Sequence, residues 1–222
     1  GADVCQAPNV ASMHTLSIES GLIQGTAAPH ATRSKVVGAI GGRSIPSVTE
    51  PLHGFAAGVL QVDADIQVLL SITGDFDDAA LAGQHARAMM DQGADVIMYN
   101  LDAAGLGVLD AVKGTDTLVI ASIADQNDMA PEHCLLSGVI DLPQGMLYLF
   151  RQIAQGKFEP QRYELGVESG CVYYVPNQKL FAAALPAQGQ AAVQDVFRKL
   201  GAKELDARAL VEELVPPALR VE

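Results

Sequence analysis

Basic residues are scarce and scattered along this chain. Lys and Arg number 14 against 26 Asp and Glu, a net charge of −12, and the cations nowhere gather into a basic stretch. Duplex nucleic-acid binders take much of their affinity from such a cluster, so nucleic acid is disfavoured as a partner. No apolar run reaches the roughly 18 residues that a membrane-spanning helix candidate needs. The three cysteines, Cys5, Cys134 and Cys171, lack the CxxC spacing of redox and zinc sites. They read either as buried free thiols or as one disulfide with a cysteine left over. The five histidines contain no HxxxH pair, and neither GxSxG nor GxxxxGK[ST] occurs. Asp125-Gln126-Asn127-Asp128 lacks the ligand spacing and closing Glu of a calcium loop, so it reads as a polar exit loop. Nothing here points to a metal, a cofactor or a catalytic group; the chain does not read as an enzyme.

What is present is a chain of 222 residues, 49% hydrophobic and 18% charged, with enough apolar content for one large or two small domains. The segment 68–100 organises the rest. An apolar β-rich run at 68–72 ends at Thr73-Gly74-Asp75, and Asp77 and Asp78 then offer capping oxygens to a helix. Gly93 closes that helix before a buried strand at 95–98. Strands at 35–40 and 118–123 and helices at 47–62 and 104–113 extend the pattern. Residues 34–123 therefore alternate β and α, the signature of a parallel sheet with right-handed crossovers. Upstream, 12–28 has helical spacing with small residues for close packing, and Pro29-His30-Ala31-Thr32 reads as a hinge or linker. Downstream come a strand at 134–140, a helix at 143–155, two strand-like pieces at 161–174 that suggest a hairpin, and helices at 188–200 and 206–214.

The word GADV occurs twice, in GADVCQAPN at 1–9 and GADVIMYN at 93–100. Each copy reads as a strand after a helix-ending Gly-Ala. The second follows a run of strands and helices and the first follows nothing. The expectation is two similar α/β halves, with the opening of the first half removed by truncation or processing.

In open parallel sheets, ligands sit beyond the carboxyl ends of the strands. Those ends carry Arg43, Asp75, Phe76, Asn100 and the loop after Ile123. Phe76 could stack on a flat ring or simply pack beneath its loop. Asp75, with Asp77 and Asp78, reads as a helix-cap cluster before a ligand contact. Asn100 is either an edge-reading amide or a turn former, and Arg43 either a ligand cation or a solvated loop charge. Gly105 and Gly107 allow close approach of the backbone to a ligand or a neighbour.

Several words, in order, resemble one family. NVASM and ESGLIQGTAA within 9–28, KVVGAIGG at 35–42, HGFAAG at 53–58, GDFDDAALAGQHA at 74–86, QGADVI at 92–97, GLGV at 105–108, ADQ at 124–126, LLSGV at 135–139 and GVESGCV at 166–172 are similar to the basic membrane protein (Bmp) family. These are substrate-binding lipoproteins of ABC importers whose known ligands are mostly purine nucleosides. The resemblance begins about a hundred residues into the family pattern, consistent with truncation. It implies a type I periplasmic-binding fold: Rossmann-like α/β lobes with parallel sheets, a hinge, and a solute between the lobes. On that plan 1–31 ends the first lobe and enters the hinge, and 32–124 is a complete second lobe. Residues 125–160 return to the incomplete first lobe, and 161–222 supply hinge, hairpin and C-terminal helices. The implied function is an extracytoplasmic solute-binding protein, a lipoprotein in full-length form, serving a membrane permease and ATPase. The alternative is a ligand-sensing domain of the same fold. An incomplete lobe also implies exposed apolar surface, or a self-association that covers it.

Two departures bear on the ligand. Where the family's nucleoside binders place an Asp on the ribose, this chain has Ile123; where they place a Lys on the sugar, it has Ile140. The family's glycine-rich GGTG loop is replaced by Asp102-Ala103-Ala104-Gly105. Aliphatic groups in place of hydroxyl-binding charges would leave ribose hydroxyls unpaired. The expected solute is therefore a small flat heterocycle, purine nucleobase or nucleoside-like, with a free nucleobase or another flat heterocycle favoured by these two departures.

Overall fold

Apolar runs separated by Gly- and Asp-rich turns lay down a βα alternation through most of the chain, and a computed structural model describes residues 7–221. Six of the nine residues of the first GADV copy, Cys5 among them, lie outside the described residues. In order the elements are β1 (Ser12–Thr15), α1 (Ser17–Ala31), β2 (Val36–Gly41), α2 (Pro46–Val62), β3 (Gln67–Ile72), α3 (Ala79–Asp91), β4 (Val96–Asn100) and α4 (Gly105–Val112). They continue with β5 (Leu118–Ala121), β6 (Cys134–Ile140), α5 (Leu142–Ala154), β7 (Arg162–Leu165), β8 (Val172–Pro176), α6 (Leu180–Ala184), α7 (Ala187–Gly201) and α8 (Ala207–Leu214).

The local signals act as their chemistry requires. The carboxylate of Asp78 accepts from the backbone N–H of Leu81 and caps α3. Asp75 accepts from the N–H groups of Asp77 and Asp78, tightening the turn before it. Asp141 and Asp206 cap α5 and α8 in the same way. Gly93 takes φ +97° where the chain leaves α3, a conformation that L side chains adopt only with strain.

Strands pair in the order β3-β2-β4-β5-β6-β8, all parallel except the last, which runs antiparallel to β6. Side chains alternate across this sheet as the period of two demands. Val37, Ala39, Val96, Met98 and Ile120 face a core shared with α1, α2, α7 and α8. Ile40, Ile97, Tyr99, Val119 and Ala121 face the opposite core, under α3 and α4. Helices on both faces of a mostly parallel sheet give the α/β architecture expected of a type I periplasmic-binding fold.

Four expectations need correction. Residues 12–28 are not one helix: Ser12–Thr15 extends because it finds a parallel partner in β7, and the helix starts at Ser17. The hinge or linker expected at 29–32 is helical as far as Ala31, with Pro29 carried inside α1. There is no hairpin at 161–174. β7 pairs with β1 in a separate two-stranded sheet, while β8 takes the free edge of β6. The return to the first lobe, expected over 125–160, is split. Cys134–Ile140 stays in the large sheet beside β5, and only α5 leaves it. α5 lays Tyr148 and Leu149 against Met13, Tyr163 and Leu165 of the small sheet.

The remainder of α5 is bare. Leu142, Met146, Leu147, Phe150 and Ile153 are all exposed, so apolar surface of the expected kind is present on this segment. Cys134 and Cys171 are free and buried, and burial pushes the Cys134 thiol up to about 11.

Candidate functional site

Five strand ends and three helix starts enclose a cleft of about 370 Å³. Phe76 follows β3, Asn100 ends β4, Asp102 follows it, and Ser122 and Ile123 follow β5. Ile140 ends β6 and Leu142 begins α5. Thr15, Ser17 and Ser20 come from the junction of β1 and α1, and Ile45, Ser47, Val48 and Pro51 from the first turns of α2.

The Phe76 ring is held from two sides. The Arg43 guanidinium carbon lies 5.8 Å from its centroid. A side chain on Gly42 would strike its ring carbons, so only glycine leaves the ring this seat. The ring is half-buried and packs partly against the main core. Asn100 is 5% exposed, and its Nδ2 donates to the Ser47 carbonyl at 3.4 Å. Its Oδ1 has no partner among the described residues, so one strong acceptor stays available.

Ile123 is the most strained of the lining residues. Its φ is +79°, an uncommon conformation for a β-branched side chain, and 39% of it is exposed. A buried network holds it there. Ile140 N–H donates to the Ile123 carbonyl at 3.0 Å. Gln126 Nε2 donates to the Ser122 carbonyl at 2.9 Å, and the Tyr99 hydroxyl donates to Gln126 Oε1 at 2.9 Å. Gln24, fully buried in α1, donates to the Ala121 carbonyl at 2.6 Å and the Ser122 hydroxyl at 3.1 Å. Burial drives the Tyr99 phenol above its usual pKa, so it stays a neutral donor. Strain persists where surroundings over-determine it, and here they do.

Of the residues singled out from the sequence, Phe76, Asn100, Ile123 and Ile140 meet in this cleft. Arg43, Asp75 and Gly105 do not line it. Arg43 stacks on the outside of Phe76. The N–H groups of Asp77 and Asp78 occupy Asp75 and hold its carboxyl below the ordinary range. Gly105 makes room for the Tyr99 ring. Sequence reasoning missed the wall made by Ser17, Ser20, Ile45, Ser47 and Pro51. Its signal was the pair of G-x-x-x-G spacings, Gly21/Gly25 and Gly54/Gly58, which draws α1 and α2 together.

Chemically the cleft is apolar with a few neutral polar groups and one carboxylate, Asp102. Such a lining suits a small, flat, largely uncharged molecule. Among the described residues, no three His, Cys, Asp or Glu side chains group as a metal site, and no helix is long and apolar enough to cross a membrane.

Comparison with known proteins places these features. A family model described as "ABC transporter substrate-binding protein PnrA-like" (Bmp) matches residues 2–197. The nucleoside-binding protein BmpA of an ABC transporter in Lactococcus lactis is 34% identical over 109 residues, covering 49% of this chain and 31% of the relative. A purine-binding protein of Brucella abortus is 25% identical over 212 residues, covering 95% of this chain and 55% of the relative. The structure of a transcriptional activator of the comK gene from Bacillus halodurans superposes with a TM-score of 0.81 at 18% identity, covering 92% of this chain and 69% of that one. The chain thus spans between about a third and about half the length of these two curated relatives.

Proposed function

This chain belongs to the family of PnrA-like ABC transporter substrate-binding proteins, and from that premise we propose that it binds a small flat heterocycle, a purine nucleobase in preference to its nucleoside. The observation that carries this reading is the pairing of Phe76 and Asn100 with Ile123 and Ile140 around one cleft. An aromatic face and an amide edge suit a planar base. Two aliphatic side chains offer ribose hydroxyls no partner, and unpaired buried hydroxyls cost binding energy. The names of the Lactococcus and Brucella relatives, nucleoside-binding and purine-binding, support the substrate class.

In this reading the protein acts outside the cytoplasm, anchored as a lipoprotein in its full-length form. It delivers solute to the permease and ATPase of an importer and performs no catalysis. Isothermal titration of adenine and hypoxanthine against adenosine and inosine tests the specificity. Nucleobases should bind at least tenfold more tightly, about 1.4 kcal/mol. Tighter binding of the intact nucleosides would overturn the preference.

The second reading, a ligand-sensing domain without a transport role, draws on the comK activator structure and on the relative named transcriptional activator protein med. Solute uptake by cells carrying or lacking the gene separates the two. Loss of nucleobase uptake on deletion supports transport; unchanged uptake with altered transcription supports sensing.

A further inference from the structure

α1 and α2 lie side by side in the same direction, closer than most helix pairs. A side chain on Gly21 would run into the Pro51 carbonyl, and one on Gly25 into the Phe55 carbonyl. Reciprocally, Gly54 abuts the Ile18 carbonyl and Gly58 the Leu22 carbonyl. Partner numbers rise together along both helices, so the axes are parallel and both N-termini face one end. That end is the cleft.

Neither start has a side-chain cap. The residue before α1 is Leu16 and the residue before α2 is Ile45, and neither forms a side-chain cap bond. Pro46 has no N–H, and the N–H groups of Glu19 and Val48 already donate to the carbonyls of Leu16 and Ile45, so Ser17, Ile18 and Ser47 supply the first-turn donors, and each N-terminus carries about half a positive charge. With parallel axes the two fields add.

An independent observation points the same way. Ser17 is 5% exposed, it lines the cleft, and its hydroxyl has no hydrogen-bond partner among the described residues. A buried hydroxyl without a partner is destabilising, so native structures rarely keep one without a use. Ser47 and Ser20 line the same wall. Asp102 is the cleft's one charged lining residue and is exposed. Its charge opposes a fully anionic group and favours a neutral acceptor.

We propose that the wall formed by the starts of α1 and α2, with the Ser17 hydroxyl, is a subsite for a carbonyl oxygen on the bound solute. This rests on the solute-binding reading above and sharpens it: the preferred heterocycle carries an oxo group in place of an amino group. The Ser17 hydroxyl donates to the oxygen, and the two helix fields hold it without a cationic side chain.

The test compares hypoxanthine, adenine and unsubstituted purine, with uracil as an oxo heterocycle outside the purine class, by calorimetric titration of the chain and of Ser17→Ala. The parent should bind hypoxanthine about 3- to 10-fold more tightly than unsubstituted purine. Ser17→Ala should remove most of that preference, weakening hypoxanthine more than unsubstituted purine, and keep or raise the melting temperature, because the hydroxyl it deletes has no partner among the described residues. Ser17→Asp, whose carboxylate would fill the subsite, should raise the melting temperature and abolish the oxo preference. Purine binding without oxo preference, or equal weakening of hypoxanthine and unsubstituted purine by Ser17→Ala, overturns the subsite and leaves the solute reading standing. Uracil bound more tightly than every purine sustains the subsite and overturns the purine class. Failure of all four to bind overturns both.

Discussion

The six-stranded sheet and the two-stranded sheet obey the same βα logic and end in different conditions. The larger is covered on both faces, and its central strands β2, β4 and β5 bury nearly every residue. The smaller, β1 with β7, packs its apolar face on α5 and ties its polar face to α2 and α8 through His14–Glu50 and Glu164–Arg208, and α5 turns five large apolar residues to solvent. Parallel strands gain stability when helices close both faces. The first region meets that condition and the second meets half of it. The cleft lies where they join, taking its aromatic and aliphatic floor from the large sheet and Thr15 and Leu142 from the margin of the small one.

Paired substitutions can break this contrast. Phe55 is fully buried between α2 and the sheet. Phe55→Ala should cost about 3–5 kcal/mol in a denaturant titration. At the α1–α2 contact, Gly25→Val forces a branched side chain against the Phe55 carbonyl. A loss of about 1–3 kcal/mol is expected, together with weakened ligand binding because the two helix starts separate.

Acid should act at intermediate size. Burial is the leading cause that lowers the pKa values of His14, His30 and His53 from 6.5. The unfolded chain then takes up protons before the folded one. Their contribution to stability is whole above pH 6.5 and is lost as pH falls from there through the lowered values. Melting temperatures between pH 7.5 and 5 should decline, and His30→Gln, which removes one of these groups, should shallow the slope. The smallest effect belongs to α5. Phe150 is 56% exposed, so Phe150→Glu should change stability by no more than about 0.5 kcal/mol. A loss as large as that of Phe55→Ala would mean the two regions are equally packed.

The contrast also separates what could be read from the residues from what could not. β2 to β5 and their helices were legible because apolar runs, Asp caps and glycine stops agree locally. Ser12–Thr15 was not, since SMHTLSIES suits a helix as well as a strand. Its state is decided by Arg162–Leu165, far along the chain. Val172–Pro176 was legible as a strand but its pairing was not, for the same reason: its partner is β6, not the nearer β7. On the cleft, Phe76 and Asn100 were visible as strand-end residues, and Ile123 and Ile140 as departures from a family pattern. The serine wall was signalled only indirectly, by the paired G-x-x-x-G spacings, because it exists only once α1 and α2 are laid together.

The glycines of that contact have a genetic consequence. Gly42 faces a side chain, so a larger residue there could be rescued by trimming Phe76. Gly21, Gly25, Gly54 and Gly58 face carbonyl groups of the opposing main chain, which no codon change can remove. A suppressor screen on substitutions at these four positions should therefore return true revertants, and compensating changes in the facing helix should be missing.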